Sequence, residues 1–341
     1  MEYFTSDYLE GCHPKVLEAL TRTNLEQTPG YGLDPHCEAA AAMIRKRFQC
    51  PGAAVHFLTG GTQANLTVIA SILQPYEGVL CADTAHINTH ETGAIEATGH
   101  KVLTLPGRDG IILGSQVSIA AALQGDWEHT VRPGMVYISM STELGTIYDL
   151  STLSDLYHVC QDNGLYLYID GARLGAGLMS PICDIQPEEL AGLCDVFTVG
   201  GTKNGALFGE AVVIVNPALQ KRFRYMMKQR GGLLAKGRLL GVQFEALMQD
   251  DLYFTIAKHA VDQAMLIRDA LLEQEIPLYV DASTNQLFPV LTDDQLEAIE
   301  EDFVLETWER VDEKSTAVRI CTSWATRPES VQHLIETIRK L

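Results

Sequence analysis

Short apolar runs alternate with helical patterns between residues 55 and 215, and this alternation limits the fold more than any other feature of the chain. Seven runs predict β-strands, at Val55–Leu58, Val79–Ala82, Lys101–Leu105, Met135–Met140, Leu165–Ile169, Val196–Val199 and Ala211–Val215. Helices are predicted at Pro14–Arg22, Pro35–Phe48 with Asp34 as N-cap, Leu66–Leu73, Gln116–Leu123, and from an N-cap at Ser151 to about Asp162. Such alternation is typical of βαβ units, so we predict an α/β fold with a mostly parallel sheet.

After Pro217 the pattern changes to a mixture that fits a smaller α/β domain. Helices are predicted for a cationic segment that ends at Gly231–Gly232, and for Leu239–Met248, Thr255–Glu275, Asp293–Asp302 and Pro328–Arg339. Strands are predicted at Ile276–Val280, Gln286–Leu291 and Ala317–Cys321. We therefore predict a large domain at 1–245, which includes an N-terminal segment at 1–30, and a small domain at 246–341.

Composition and charge narrow the classes of function. The 341 residues are 46% hydrophobic with a formal net charge of −19, which argues against nucleic acid and membrane surfaces as partners. Eight scattered cysteines form no Cys-x-x-Cys pair, as is usual for buried free thiols, and no metal site is predicted. Glu2, Asp7 and Glu10 stand where a signal peptide needs cationic and apolar residues, and no apolar stretch is long enough to span a bilayer. We therefore expect a reduced, cytoplasmic protein.

One lysine stands between two apolar strands in a glycine-rich loop. Lys203 follows Gly200–Gly201 and precedes the strand at Ala211. An amine held beside apolar strands loses hydration, which lowers its pKa and leaves some of it neutral and nucleophilic. A neutral lysine amine can form a Schiff base with an aldehyde. An ordinary surface lysine in a hairpin turn is the competing interpretation.

A second glycine-rich turn joins the strand at Val55 to the helix that follows it. The residues of this turn are Gly60, Gly61 and Thr62. Backbone N–H groups and the positive end of the helix dipole converge at such a turn, which makes it a place for phosphate. The pattern matches neither a P-loop nor a dinucleotide-binding turn, and the glycines could also serve only as a tight connection.

Asp170 follows the strongly apolar predicted strand Leu165–Ile169 directly. A buried carboxylate there is costly without a cationic partner, and Arg173, three residues later, could be that partner. Pyridoxal 5′-phosphate (PLP) offers another explanation, because it has an aldehyde for Lys203, a phosphate for the glycine turn, a ring nitrogen for Asp170 and a flat face for His86. Each of these residues follows a predicted strand, so a parallel sheet can gather them at one edge.

The residues also resemble a known family. The chain is similar to the low-specificity L-threonine aldolase and β-eliminating lyase family, whose PLP-dependent transferase fold (type I) has a mostly parallel seven-stranded sheet. The matching motifs are Ser6-Asp7, Tyr31-Gly32-Leu33-Asp34-Pro35, Gly60-Gly61-Thr62, His86-Ile87 with Glu91 and Gly93, Asp170-Gly171-Ala172-Arg173, Lys203, Val318-Arg319 and Thr322-Ser323-Trp324. Together, in this order and spacing, they are far more specific than any one of them.

The resemblance implies retro-aldol cleavage of L-threonine or L-allo-threonine to glycine and an aldehyde. In that reaction Lys203 carries PLP and Asp170 keeps its ring nitrogen protonated. The turn of Gly60, Gly61 and Thr62 holds the phosphate. His86 either stacks on the ring or takes the proton of the substrate hydroxyl, and the residues leave both roles open.

Substrate binding is implied for four further side chains. Arg319, helped by Ser6, would grip the carboxylate of the amino acid, and Arg173 would contact that carboxylate or the phenolic oxygen of PLP. Tyr31 resembles a residue that enters the site of a neighbouring subunit, although a buried structural tyrosine is a competing interpretation. A homodimer or homotetramer with shared active sites is therefore expected.

Several departures from the family pattern surround the predicted ligand. Leu33 and Ala94 replace a common glutamate and a glycine, Gly60 stands where serine is usual, and Ser141-Thr142-Glu143 differs from Glu-Asn-Thr. They bear on substrate preference more than on the cofactor. Two other functions therefore stay open, namely β-elimination on another amino acid and PLP binding without turnover.

Overall fold

The structure, a computed structural model, describes residues 1–124 and 127–341. The strands are β1 (Glu2–Tyr3), β2 (Ala54–Leu58), β3 (Glu77–Ala82), β4 (Val102–Leu105), β5 (Arg132–Ser139), β6 (Tyr166–Asp170), β7 (Val196–Gly200), β8 (Glu210–Ile214), β9 (Gln286–Leu287), β10 (Val290–Thr292), β11 (Phe303–Val304), β12 (Glu306–Arg310) and β13 (Ser315–Cys321). The α-helices are α1 (Pro14–Thr23), α2 (Pro35–Arg47), α3 (Gly61–Ile72), α4 (His86–Thr89), α5 (Gly114–Gln124), α6 (Leu150–Asp162), α7 (Leu174–Leu178), α8 (Pro187–Leu190), α9 (Phe223–Gln229), α10 (Arg238–Met248), α11 (Leu252–Glu273), α12 (Asp293–Glu300) and α13 (Pro328–Ile338). Short 3₁₀ turns lie at Glu96–Thr98, Pro217–Leu219 and Gln249–Asp251.

A seven-stranded sheet forms the centre of the molecule, with strand order β2-β8-β7-β6-β5-β3-β4. The pairs from β7 to β4 are parallel, whereas β8 runs antiparallel to both of its neighbours. β7 and β8 are buried along their whole length, because parallel sheets carry helices on both faces. The prediction of an α/β fold with a mostly parallel seven-stranded sheet is confirmed.

A second, antiparallel sheet lies in the C-terminal part of the chain. Its order is β10-β13-β12, and β9 also pairs with β13. The predicted strand Ile276–Val280 is wrong, since this segment makes only an isolated bridge from Leu278 to Pro289. The predicted strand Gln286–Leu291 is two short strands instead of one. Prolines 277 and 289 explain both differences, because proline has no N–H to donate to a ladder.

The two ends of the chain meet in this region. β1 pairs in parallel with β11, and Phe4 is buried among C-terminal core residues such as Phe303. Its ring centroid lies 6.0 Å from that of Phe303. The division into domains at 1–245 and 246–341 stays a prediction.

Helix starts show where local sequence signals were sufficient. Asp34 caps α2 as predicted, because its Oδ1 accepts from the backbone N–H of Cys37 at 2.9 Å. For α6 the predicted cap Ser151 is wrong: Asp149 accepts from the N–H of Thr152 at 2.7 Å, so the helix begins one residue before Ser151. α3 begins at Gly61, five residues before its predicted start.

No helix within residues 1–124 and 127–341 combines the length and the apolar character needed to cross a membrane.

The contact between α2 and α10 depends on a glycine. A Cβ added to Gly241 would lie 2.7 Å from Cα and 2.6 Å from Sγ of Cys37. Helix backbones can approach this closely only where one of them lacks a side chain.

We expect Gly241→Ala to lower the free energy of unfolding by about 1–3 kcal/mol, because the added methyl overpacks the helix contact. This loss outweighs the gain in helix propensity of about 1 kcal/mol that alanine brings. Urea denaturation measures the change. Gly52→Ala is the control, since a Cβ at Gly52 meets nothing within 4 Å. Equal stability of the two variants would contradict the packing explanation.

Candidate active site

A cavity of about 310 Å³ opens at the carboxyl ends of the parallel strands. Ligands of parallel α/β sheets bind at this edge. Its wall includes Tyr8, Thr59, Gly60, Gly61, Thr62, Asn65, His86, Ser139, Ser141, Glu143, Asp170, Ala172, Arg173, Thr202, Lys203, Phe208 and Glu210. The structure thus brings together all seven residues for which cofactor contacts were predicted.

Lys203 lies in a loop that the ends of β7 and β8 hold closed. The N–H of Gly201 donates to the carbonyl oxygen of Gly209 at 2.9 Å, and the N–H of Gly209 donates to Oγ1 of Thr202 at 3.0 Å. Gly205, with φ +90°, occupies the left-handed region that favours glycine. Loss of hydration lowers the pKa of Lys203, and the nearby Arg173 lowers it further. The loop that carries the amine is therefore held in place, and its surroundings favour the neutral amine more than water does.

The turn at Gly60 leads directly into α3. Gly60 is the N-cap of this helix and makes no side-chain hydrogen bond to it. A Cβ added at Gly60 or Gly61 would meet nothing within 4 Å, so open space lies in front of the helix N-terminus. Oε1 of Gln63 secures the turn from behind, because it accepts from Oγ1 of Thr59 at 2.8 Å. The helix dipole makes this open space favourable for an anion.

Asp170 is buried and accepts three hydrogen bonds. Oδ2 accepts from the hydroxyl of Tyr137 at 2.6 Å and from Nδ2 of Asn65 at 2.9 Å, and Oδ1 accepts from the N–H of Ala172 at 2.8 Å. The alternative in which Arg173 is its ion-pair partner is wrong. Neutral donors stabilise the carboxylate instead, which leaves its charge available to a ligand in the cavity.

Arg173 pairs with Asp7, a residue near the N-terminus of the chain. Its Nε donates to Oδ2 of Asp7 at 2.7 Å, and one Nη donates to Oδ1 at 3.1 Å. Burial by itself would raise the pKa of Asp7, but the positive charges of Arg173 and Lys203 lower it on balance. Nδ2 of Asn285 donates to the same carboxylate at 2.9 Å. The N-terminal segment therefore reaches the cavity through a buried ion pair.

His86 begins α4, directly after β3. Its Nδ1 lies 2.8 Å from Oε1 of Glu91, a carboxylate whose side chain is fully buried. The backbone N–H of His86 donates to Oε1 of Glu143 at 3.0 Å. A buried carboxylate on Nδ1 favours the tautomer with its proton on that nitrogen, which leaves Nε2 as an acceptor.

Three predicted substrate contacts do not line the cavity. Ser6 is buried beside a separate cleft near Cys321, and Tyr31 is 45% exposed with the Lys228 ammonium 4.8 Å from its ring centroid. Arg319 is buried, donates to the carbonyl oxygen of Thr5 at 2.8 Å, and forms an ion pair with Glu306. Their roles toward substrate stay predictions, and the exposure of Tyr31 contradicts the alternative of a buried structural tyrosine.

The residues present fit PLP. An amine with a lowered pKa, an uncapped helix N-terminus with open space and a triply hydrogen-bonded carboxylate line one cavity. These groups match an aldehyde, a phosphate and a protonated ring nitrogen.

Similarity to known proteins agrees with this geometry. A family model described as β-eliminating lyase matches residues 4–294. The chain belongs to the β-eliminating lyase family. One similar protein is the low specificity L-threonine aldolase of Pseudomonas sp. (strain NCIMB 10558). It is 32% identical to this chain over an alignment of 350 residues, and the alignment covers 99% of this chain and 97% of that protein.

Solved structures show that the similarity includes the fold. The structure of Leishmania major threonine aldolase has 42% identity and a TM-score of 0.98, and covers 100% of this chain and 99% of that one. Aspartate aminotransferase from Thermus thermophilus, at 14% identity, has a TM-score of 0.72 with 99% and 91% coverage. The second likeness concerns the fold alone, and it agrees with the predicted fold type I.

Sequence reasoning assigned no role in the site to Asn65, Glu143 and Glu210 of the cavity wall, or to Tyr137, which donates to Asp170. Glu210 is 3% exposed at the start of β8, opposite Gly200 of β7 and Leu58 of β2. A carboxylate at the start of the apolar strand Glu210–Ile214 was a signal that could have identified it. Asn65 and Tyr137 gave no such signal, because asparagine in a helix and tyrosine in a strand are ordinary.

Glu210 makes stability depend on pH. Burial, together with the negative charge of Asp170, raises its pKa from 4.5 to about 8. Between these values the folded protein binds more protons at this carboxyl than the unfolded chain does. Stability should therefore fall as pH rises from about 4.5 to about 8, with a slope of up to about 1.4 kcal/mol per pH unit from this one group.

Urea denaturation of the cofactor-free protein at several pH values tests this prediction. Glu210→Gln should remove this part of the slope, because glutamine does not titrate. Glu297→Gln, at an exposed position of α12, is the matched control and should leave the slope unchanged. A slope in Glu210→Gln as steep as in the wild type would show that other groups cause it.

Proposed function

We propose that this protein uses PLP to cleave the Cα–Cβ bond of L-threonine or L-allo-threonine, or of similar β-hydroxy amino acids, to glycine and an aldehyde. The observation that carries the proposal is the amine of Lys203, with its lowered pKa, in one cavity with Asp170 and the open helix N-terminus of α3. The relative that is 32% identical over nearly the whole chain is a low specificity L-threonine aldolase, which supports this choice of substrate.

Bound PLP supplies an electron sink that stabilises the negative charge left at Cα when a bond to that carbon breaks. Lys203 would hold PLP through its amine, which would condense with the aldehyde as water leaves. Asp170 would hold the proton of the ring nitrogen through its charge. The backbone of Gly60, Gly61 and Thr62 holds the phosphate.

Two arginines are proposed to bind the substrate carboxylate or the cofactor oxygen near it. Arg173 lines the cavity, and the carboxylate of Asp7 holds its guanidinium there by accepting two hydrogen bonds. Arg319 must release Glu306 to bind a substrate carboxylate, and Ser6 would assist it. A bidentate arginine contact fixes the amino acid and so determines which bond of Cα is aligned for cleavage.

A base in the cavity must take the proton of the β-hydroxyl. His86 is our candidate, because Glu91 occupies Nδ1 and leaves Nε2 as an acceptor. His86 also remains our candidate for the stacking contact with the ring. A proton acceptor near the β-hydroxyl favours cleavage of Cα–Cβ over loss of the hydroxyl, which β-elimination would require.

We further propose a homodimer or homotetramer in a reducing, cytoplasmic setting. Tyr31, Leu33 and Tyr225 are exposed large side chains near one another, where Nη of Arg224 donates to the carbonyl oxygen of Tyr31 at 2.9 Å. This surface could place Tyr31 in the cavity of a second copy. The eight cysteines are all free thiols, which supports the reducing setting.

We expect the protein with PLP to convert L-threonine and L-allo-threonine to glycine and acetaldehyde. Amino acid analysis and an alcohol dehydrogenase assay measure the two products. Lys203→Ala should lose about a thousandfold or more in rate, because Lys203 is the one lysine among the described residues that line the cavity. Borohydride should attach PLP to Lys203 in the wild type, as peptide mass spectrometry can show.

Release of ammonia and a keto acid without glycine would replace this proposal with β-elimination. Bound PLP with no turnover of any amino acid would leave only a binding function. Attachment of PLP to a lysine other than Lys203 would overturn the assignment of the amine.

Shared active sites can be tested by mixing two inactive variants. Lys203→Ala lacks the amine, and Tyr31→Ala lacks the side chain proposed to enter the neighbouring cavity. Unfolding and refolding them together should restore up to about a quarter of the wild-type activity, since a quarter of the sites then have both residues in a random dimer. Mixtures no more active than the separate variants, or an active monomer in light scattering, would contradict shared sites.

A further inference from the structure

The amide of Asn65 lies between two buried carboxylates. Asn65 is the fifth residue of α3 and is 1% exposed. Its Nδ2 donates to Oε1 of Glu91 at 2.7 Å and to Oδ2 of Asp170 at 2.9 Å. Its Oδ1 accepts from the hydroxyl of Tyr168 at 2.7 Å. Both amide hydrogens and the amide oxygen therefore have partners.

Only one orientation of this amide is compatible with its surroundings. A flipped amide would place its oxygen against the oxygens of Glu91 and Asp170, and its NH₂ against the Tyr168 hydroxyl. Tyr168 is fully buried on β6, so its hydroxyl has a fixed position. Carboxylates only accept, so Glu91 and Asp170 set the direction in which Asn65 donates, and Tyr168 adds a hydrogen bond to Oδ1 that agrees with it.

The two carboxylates on either side of Asn65 have different tasks in the proposed site. Asp170 faces the cavity, where it would meet the ring nitrogen, and Glu91 holds Nδ1 of His86 at 2.8 Å. Hydrogen bonds run without a break from His86 through Glu91 and Asn65 to Asp170. A single amide thus links the side chain that would lie against the face of the ring to the one that would hold its edge.

We propose that Asn65 is a positioning residue that sets the relative placement of His86 and Asp170 around the cofactor ring. This inference rests on the proposed PLP site, and it concerns the cofactor rather than the amino acid that is cleaved. Two buried like charges repel each other, and a neutral donor that bonds to both allows them to lie side by side. Apolar residues of similar size cannot do this.

Other charged and titratable groups surround the same carboxylates, but none of them joins the two. Of the two carboxylates, Tyr137 bonds only to Asp170, and its hydroxyl also accepts from Oγ of Ser139. Glu143 accepts from the backbone N–H of His86 and from Oγ of Ser139. Glu91 Oε2 has no hydrogen-bond partner among the described residues. Loss of Asn65 would therefore leave both Glu91 and Asp170 with fewer donors than their burial requires.

Affinity for PLP provides the first readout, measured by fluorescence titration of the cofactor-free protein. Asn65→Ala should weaken binding about 10- to 100-fold, as expected when hydrogen bonds to charged groups are lost. Visible circular dichroism at saturating PLP is the second readout. Its amplitude per bound cofactor should fall, because the ring is no longer held at a fixed angle by His86 and Asp170.

Asn216→Ala is the matched control. Nδ2 of Asn216 donates to Oδ1 of Asp195 at 2.7 Å, which is a similar pair at the opposite edge of the sheet. This variant should bind PLP with wild-type affinity and show the wild-type dichroism, whatever its stability.

Tyr168→Phe keeps the inference testable should Asn65→Ala not fold. The change leaves Oδ1 of Asn65 without its donor, so the amide is held less firmly against the two carboxylates. Both readouts should therefore move in the same direction as for Asn65→Ala, by about 3- to 10-fold in affinity. Folded Asn65→Ala with affinity and dichroism equal to wild type would overturn the proposal. Where only Tyr168→Phe folds, wild-type values in that variant would overturn it.

These readouts are independent of the proposed reaction. A wild-type protein that binds PLP but makes no glycine from threonine would end the aldolase proposal and leave the role of Asn65 standing. Conversely, wild-type affinity for PLP and wild-type dichroism in folded Asn65→Ala would remove this role and leave the proposed reaction unaffected.

Discussion

The cost of burying charge is the constraint on which the active-site region depends. Asp7, Asp170 and Glu210 are each at most 5% exposed, and Arg173 and Lys203 lie beside them. A buried ion typically costs several kcal/mol unless partners compensate for lost water. The structure compensates in three ways. Asp7 pairs with Arg173, and neutral donors surround Asp170. The pKa of Lys203 is lowered and that of Glu210 is raised, and each shift favours the neutral form of its group.

The parallel sheet brings these charged groups together at one of its edges. Neighbouring strands β7 and β6 carry Lys203 and Asp170 at their carboxyl ends, and β2, two strands from β7, carries the glycine turn. The inserted strand β8 is antiparallel, so its first residue, Glu210, lies at the same edge as the last residues of the others. The order of strands therefore spaces an anion site, an amine and a carboxylate along one cavity.

Segments distant in sequence complete the same region. Asp7 and Arg173 are 166 positions apart and Arg319 bonds to Thr5 across 314 positions. β1 attaches the N-terminal segment to the C-terminal sheet through β11. Because the N-terminal segment that holds Arg173 is attached to the C-terminal part, the geometry of the cavity depends on the packing of that part as well as on the large sheet.

The sequence by itself determined the seven strands of the main sheet, the Asp34 cap and the residues that line the cavity at Gly60, Asp170 and Lys203. These depend on periodicity, capping and motifs, which act over a few residues or were matched to a family. Only the tertiary structure decided that Arg173 pairs with Asp7 rather than Asp170, and that Asn65 joins Glu91 to Asp170. Partners such as these, more than 100 positions apart in the case of Asp7 with Arg173 and of Asn65 with Asp170, depend on packing and on the need to satisfy buried polar groups. Local sequence patterns therefore cannot predict them.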